Sequence, residues 1–363
     1  MKVFLFNPEN DLALANGTPF YTPTPMAKQL RKDLRMLPVW YAPKGSCVLG
    51  EEQDCEWFEG INKKYHLDLQ LVTKKELTVR NDVQFCPWGW SAALKTELLK
   101  MGVAPESLPT DSQLDTWRNL AHRRTTIVFH RRLHEILGDR ISATSPVELA
   151  TIDEVIRYAR ENPYSFFKQP FSGSGRGVYR VFDGPSKSME QWCVGALRDQ
   201  GSILCERGYA KLMDFAAEFH CEHGDAKFMG YSVFKTDFHN QFQYGLVADQ
   251  RLLESMLRGQ VPDFAAVIMA VRDVVAEQIA PVYEGYVGVD MMLYEEMPGE
   301  VRVNPCVEIN LRATMGVVTC GIAQRMSFTG TKLAEFRIEQ AAGGIVQNAL
   351  TPIYEKTRFA ARI

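Results

Sequence analysis

Short apolar runs and amphipathic stretches divide the chain. KVFLF (2–6) reads as a buried strand, with polar NPEND as the loop at its carboxyl end. PTPMAKQLRKDLRML (23–37) takes a helical period after its prolines. LPVWYAP (37–43), LDLQLVT (67–73) and VQFCPWGW (83–90) read as strands, the last stopped at Pro87. SAALKTELLKMG (91–102) predicts a helix with a serine cap and a terminal glycine. Strands alternating with helices predict a parallel α/β layer over residues 1–112.

The rest of the chain reads differently. TDSQLDTWRNLAHRRTTIVFHRRLHEILG (110–138) predicts a long helical connector interrupted near its threonines. ISAT (141–144) reads as a strand, and TIDEVIRYARENP (151–163) as a helix opened by a Thr151/Glu154 capping box. SFFKQPF (165–171) and GVYRVF (177–182) are strands flanking a glycine tract, and SILCERG (202–208) is a strand running into a hinge. MDFAAEFHCE (213–222) and AKFMGYSVFKT (226–236) pair as a hairpin turning at His223-Gly224-Asp225, and FQYGLVAD (242–249) is the next strand. DFAAVIMAVRDVVAEQIAPV (263–282) is an amphipathic helix. GYVGVDMMLYEE (285–296) and EVRVNPCVEINLR (300–312) are two strands around a turn, and the tail after 321 is expected to be helical. Two further units follow from this reading, 113–205 and 206–363.

Composition removes several function classes. A formal net charge of -3 gives no basis for a nucleic-acid or membrane-surface partner. No apolar stretch is long enough to span a bilayer, and the apolar run at the start is too short for a signal segment. The expected location is the cytoplasm. Eight cysteines at irregular spacing, with no CxxC, read as small buried hydrophobes. HCEH (220–223) is no metal site on this reading, because a strand turns positions 220 and 223 to opposite faces.

Two segments carry chemistry. Lys168 is followed by SGSGRG (172–177). A P-loop needs GxxxxGK[ST], and a dinucleotide fingerprint needs GxGxxG between a strand and a helix. Here the lysine comes first and the glycines lie between two strands. What remains is a pliable hairpin tip whose amides fold over phosphate, with Lys168 as a point charge and Arg176 as added charge. The plain alternative is a glycine-rich turn beside a surface lysine. The second segment places Asp290, Glu308, Asn310 and Arg312 on otherwise apolar strands. Positions 308, 310 and 312 share one face, and polar groups there are costly without partners. If Asp290 lies on the neighbouring strand, three hard oxygen donors converge, which suits Mg²⁺ with substrate phosphates.

Taken in order, FKQP, SGSGRGV, ILCERG, GVDMML and VEINLR resemble the motifs of the ATP-grasp superfamily over about residues 115–320. The resemblance implies α/β architecture: an N-terminal parallel α/β layer before a two-subdomain grasp with antiparallel sheets. It implies that Lys168 binds ATP phosphates and that Ser172, Gly173, Ser174, Gly175, Arg176 and Gly177 form a lid over them. It implies that Glu206, Arg207, Gly208 and Tyr209 meet adenine at the hinge. Glu218 would take the ribose hydroxyls, with Asp214 as its rival. Arg123 would supply a further cation, with Arg124 nearly as well placed. Asp290, Glu308 and Asn310 would hold one or two Mg²⁺, with Mn²⁺ able to substitute, and Arg312 would steady the transferred phosphoryl group or the acyl intermediate.

The implied activity is ATP-dependent ligation of a small-molecule carboxylate to an amine through an acylphosphate, with release of ADP and phosphate. A kinase on the same fold and a silent nucleotide-binding module are the alternatives. Candidate substrate contacts are Asn7, Glu9, Asn10 and Asp11, Trp88 and Trp90, and Thr314, Met315 and Gly316; turn chemistry is the preferred reading of the first group and packing of the tryptophans, and the last three are better placed to touch an acceptor.

Overall fold

A computed structural model of the chain describes residues 1–77, 83–173, 175, 177–238, 240–261, 263–341 and 346–363. The amino-terminal layer is a parallel sheet of β1 (Lys2–Leu5), β2 (Cys47–Leu49), β3 (Gln70–Val72) and β4 (Gln84–Pro87), in the order β3-β2-β1-β4. Its helices are α1 (Asn10–Asn16), α2 (Pro25–Asp33), α3 (Cys55–Lys64), α4 (Lys74–Leu77) and α5 (Ala92–Lys100), the last capped by Ser91 as its sequence predicts. The connector is α6 (Asp111–Ala121) and α7 (Thr125–Leu137), broken at 122–124.

A second sheet holds β5 (Val147–Leu149), β6 (Ser165–Lys168), β7 (Val178–Val181) and β8 (Ile203–Arg207), antiparallel throughout and ordered β5-β8-β6-β7. Helices α8 (Ile152–Glu161) and α9 (Lys187–Gln200) back it and close a separate core around Phe167, Met189 and Cys205.

The third sheet is antiparallel, with β9 (Ala210–Glu222), β10 (Asp225–Thr236), β11 (Phe242–Ala248), β12 (Gly285–Met297), β13 (Glu300–Asn310), β14 (Leu333–Gln340) and β15 (Phe359–Arg362) in the order β13-β12-β9-β10-β11-β14-β15. Side chains alternate between its faces. Phe215, Ala217 and Phe219 turn to α7, α10 (Gln250–Arg258) and α11 (Phe264–Gln278) in the largest core. Their neighbours Asp214, Ala216 and Glu218 turn the other way. Part of that opposite face is covered by α12 (Met315–Arg325) and the amino-terminal layer: Phe4, Trp40 and Trp88 share a core with Val247, Tyr286, Val318 and Phe336. No helix among the described residues is long and apolar enough to cross a membrane.

Four expectations need correction. LPVWYAP is not a strand; Leu37–Trp40 form a buried 3-10 turn. Pro38 has no N–H for a ladder, and a methyl group at Gly321 of α12 would run into the Trp40 carbonyl, so backbone packs on backbone there. NPEND does not stay a loop but enters α1. The strand expected at ISAT lies at Val147–Leu149, where β5 pairs with β8. The tail after 321 is helical only to Arg325, beyond which β14 and β15 extend the third sheet.

Candidate functional site

Lys168 ends β6, and the base of the glycine tract is closed by the Gln169 N–H donating to the Gly177 carbonyl at 2.8 Å. Arg123, at the break between α6 and α7, is buried and reaches across. Its guanidinium donates to the Gln169 carbonyl at 2.5 Å and to the Ser172 hydroxyl at 2.6 Å. The glycines answer close approach: a methyl group at Gly173 would strike the Asp11 carboxylate, and one at Gly177 would strike Ser172. Gly175 has a φ of 72°, which favours glycine. Ser174 and Arg176 lie outside the described residues.

On the facing wall, β12 and β13 place Asp290 opposite Glu308 and Gly288 opposite Asn310. Directly opposed residues share a face. Desolvation raises the Asp290 carboxyl well above its ordinary range, and repulsion from Glu308 and Glu218 adds to it; Arg312 and a hydrogen bond with Asn310 pull the other way. Glu308 accepts from Arg123 at 2.7 Å. Arg312 forks Asp11 through two bonds of 2.8 and 2.9 Å. Among the described residues no group of three or more His, Cys, Asp or Glu side chains stands ready to hold a metal ion unaided.

At the hinge, Glu206 pairs with Lys168 at 2.5 Å. The Gly208 N–H donates to the Tyr164 carbonyl at 2.9 Å, and a side chain at Gly208 would enter the Tyr164 ring. Tyr209 packs on Tyr294 at 4.4 Å between centroids, and the Arg207 guanidinium lies over its ring. Asp214 faces the cleft, bonded to Lys211 at 2.5 Å and Thr236 at 3.0 Å. Glu218 is 1% exposed, and its two oxygens accept from Ser232 and Thr314, each at 2.9 Å. Burial pushes its carboxyl up to about 7 against those two bonds.

Lys168, Gly173, Gly175, the hinge residues Glu206, Arg207 and Tyr209, and Asp290, Glu308, Asn310 and Arg312 all line one cavity of about 480 Å³. Segments more than a hundred residues apart therefore meet around a space large enough for a nucleotide. The sequence reading missed the partners that hold the site. Asp11 reads from sequence as a turn residue or a substrate contact, yet it clamps Arg312. Asn7 and Glu9 are engaged within their own layer, Asn7 donating to the Gly89 carbonyl at 2.8 Å and Glu9 accepting from Arg31 at 3.0 Å. Trp88 lines the cavity, whereas Trp90 packs toward Trp117 at 6.3 Å.

No protein-family model matches the chain, and no curated protein does. Solved structures do. Phosphoribosylamine–glycine ligase from Thermotoga maritima superposes with a TM-score of 0.55 at 11% identity, covering 100% of this chain and 90% of that one. A biotin carboxylase β-γ-ATP complex from Campylobacter jejuni gives 0.50 at 12% identity, covering 99% and 86%. The fold is the ATP-grasp fold.

In this ATP-grasp fold the cavity lies between the second sheet and the third, with the amino-terminal layer reaching it through Pro8, Asp11, Leu30 and Trp88. The Asp11–Arg312 fork joins that layer to the end of the Glu308–Arg312 segment. Asp11→Asn keeps the shape but removes the charge that fixes the guanidinium. If the cleft turns over ATP, as proposed below, turnover is expected to fall about tenfold or more while calorimetric ATP affinity stays within about twofold. An equal loss in both would show that Asp11 only supports the fold.

Proposed function

We propose that the cleft binds ATP with Mg²⁺ and uses it to join a small-molecule carboxylate to an amine. The observation that carries the reading is the single cavity with Lys168 and the glycine hairpin on one wall and Asp290, Glu308 and Asn310 on the other. A carboxylate oxygen of the substrate attacks the γ-phosphorus, the bond to the β-phosphate oxygen breaks, and ADP leaves. The amine then displaces phosphate from the acylphosphate and loses a proton. No side-chain nucleophile is needed.

Lys168 contacts phosphate, with Glu206 holding its ammonium in place. The Ser172–Gly177 tract closes over the β- and γ-phosphates and excludes water. The hinge backbone from Glu206 to Tyr209 receives adenine. Of the two carboxylates weighed for the ribose, Asp214 is the better placed, because both Glu218 oxygens are taken by Ser232 and Thr314. Arg123 ties the glycine tract to Glu308, and Arg312 faces the transferring group. The donor set fits a hard divalent ion: two facing carboxylates and an amide oxygen, with Asp290 crowded by like charge. Asp290, Glu308 and Asn310 would hold one or two Mg²⁺, or Mn²⁺, which supplies charge neutralisation at the phosphates. The units 1–112, 113–205 and 206–363 then serve as substrate layer, lid and nucleotide bed. ATP supply suits the cytoplasm, and so do eight cysteines at irregular spacing with no CxxC.

The test is ADP release by purified protein with Mg·ATP, hydroxylamine and pooled carboxylic acids, followed by mass spectrometry. Acid-dependent ADP release with a hydroxamate product is expected. A stable phosphorylated product without free phosphate would replace the reading with a kinase. Tight ATP binding without turnover on any acceptor would leave only a binding module.

A further inference from the structure

The same cavity has an apolar end. Leu30 of α2, Trp88 after β4, Phe242 of β11, Met315 of α12 and Ile338 of β14 line it. All five belong to one hydrophobic cluster: Trp88 is buried in it, and the other four pack on it half-buried. Their remaining apolar surface therefore faces the cavity. The charged residues that line the cavity come from the β6–β7 hairpin, the hinge, β9, β12, β13, Arg123 and the Asp11–Arg312 pair; none comes from α2, β11, α12 or β14.

β14 stands three strands from β9, which the hinge enters, whereas Phe242 on β11 pairs with Thr236, whose hydroxyl bonds Lys211 and Asp214. In the third sheet β11 and β14 stand three and four strands from β12. At ~4.8 Å per strand this puts Phe242 and Ile338 roughly 14–19 Å across the sheet from the strand of Asp290, while Trp88 and Met315 lie beside Arg312, the Trp88 carbonyl accepting from the Ala313 N–H at 2.8 Å. An apolar wall that begins beside Arg312 and reaches β14, bordered by Lys211 and Asp214 at its Phe242 edge, selects a ligand whose far end is uncharged. A charged group there would lose its hydration with no partner.

Resting on the ligase reading, we infer that the acid activated here carries its carboxyl group on an extended body that ends in an apolar group, and that Leu30, Trp88, Phe242, Met315 and Ile338 form the subsite for that end. Phosphorylated and dicarboxylic acids are excluded by the same wall.

Octanoate and octanedioate test this, since they match in length and differ at the far end. With Mg·ATP and hydroxylamine, octanoate is expected to exceed octanedioate more than tenfold in kcat/KM for ADP release. Between butyrate and octanoate the value should rise, by up to about fourfold per methylene. Ile338→Lys should reverse the preference while Mg·ATP affinity by calorimetry is unchanged; Leu30→Lys, on a half-buried helix position, repeats the test if the first variant fails to fold. Calorimetric titration of both acids into protein loaded with Mg²⁺ and a non-hydrolysable ATP analogue gives a readout independent of turnover. Octanedioate equal or better in both assays would overturn the subsite and leave the ligase reading intact. Octanoate binding preferentially with no acid driving ADP release would uphold the subsite and remove the ligase. Neither acid binding nor reacting would overturn the subsite.

Discussion

Asp290→Asn is expected to melt later than the wild type and to release ADP at least a thousandfold more slowly. The two effects have one cause. The Asp290 carboxyl is desolvated and crowded by Glu308 and Glu218, so its proton affinity is raised in the folded state. A raised carboxyl contributes stability at low pH that is lost as pH rises through its folded value. At pH values where the unfolded chain ionises this group, the buried and crowded carboxyl is therefore a burden on the ligand-free protein. Asparagine lifts it, and the unfolding midpoint should rise by roughly 2 °C or more. On the proposed reading the same substitution also removes a charged donor for the divalent ion, and a thousandfold loss corresponds to about 4 kcal/mol of transition-state stabilisation. Scanning calorimetry without ligand and the ADP assay measure the two halves. Added Mg·ATP should raise the midpoint of the wild type far more than that of the variant. Undiminished turnover would remove Asp290 from the site.

Glu218→Gln is expected to flatten the dependence of stability on pH. Burial lifts the Glu218 carboxyl from 4.5 to about 7. Its folded value lies above its unfolded one, so its stabilising contribution is full at acid pH and fades as pH climbs through 7. Between pH 5 and pH 8 the wild type should lose about 2.5 kcal/mol that the variant keeps. Glutamine retains an acceptor for one hydroxyl, and the hydroxyl of Ser232 or Thr314 can turn to accept from its amide. Denaturant melts at both pH values decide the matter. Parallel curves would mean that Glu218 is hydrated in solution.

Much of the fold was legible because its elements repeat simple periods. The glycine tract between two strands, the capping box at Thr151 and the alternation through β9, β10, β12 and β13 all follow from local pattern. The misses have physical reasons. LPVWYAP is apolar throughout, and periodicity cannot separate a buried strand from a buried turn; its proline and its packing on Gly321 decide. LAEFRIEQ in β14 does alternate, with Ala334, Phe336 and Ile338 between the charges of Glu335, Arg337 and Glu339. NPEND reads as a turn because a seven-residue helix leaves almost no period. The site was legible wherever the polar groups interrupt apolar strands. Its support was not: Asp11 meets Arg312 across 301 positions, and no local pattern announces such a pair. Glu218 looks like a ligand group from sequence, but only the fold reveals Ser232 and Thr314 on its oxygens.

The amino-terminal layer and the seven-stranded sheet are welded through one interior, while the four-stranded sheet owns a small interior of its own. The two larger sheets thus share packing that the four-stranded sheet does not. If the cleft exchanges nucleotide as proposed, displacing the four-stranded sheet alone would open it and leave the Trp88 and Met315 surface with the seven-stranded sheet.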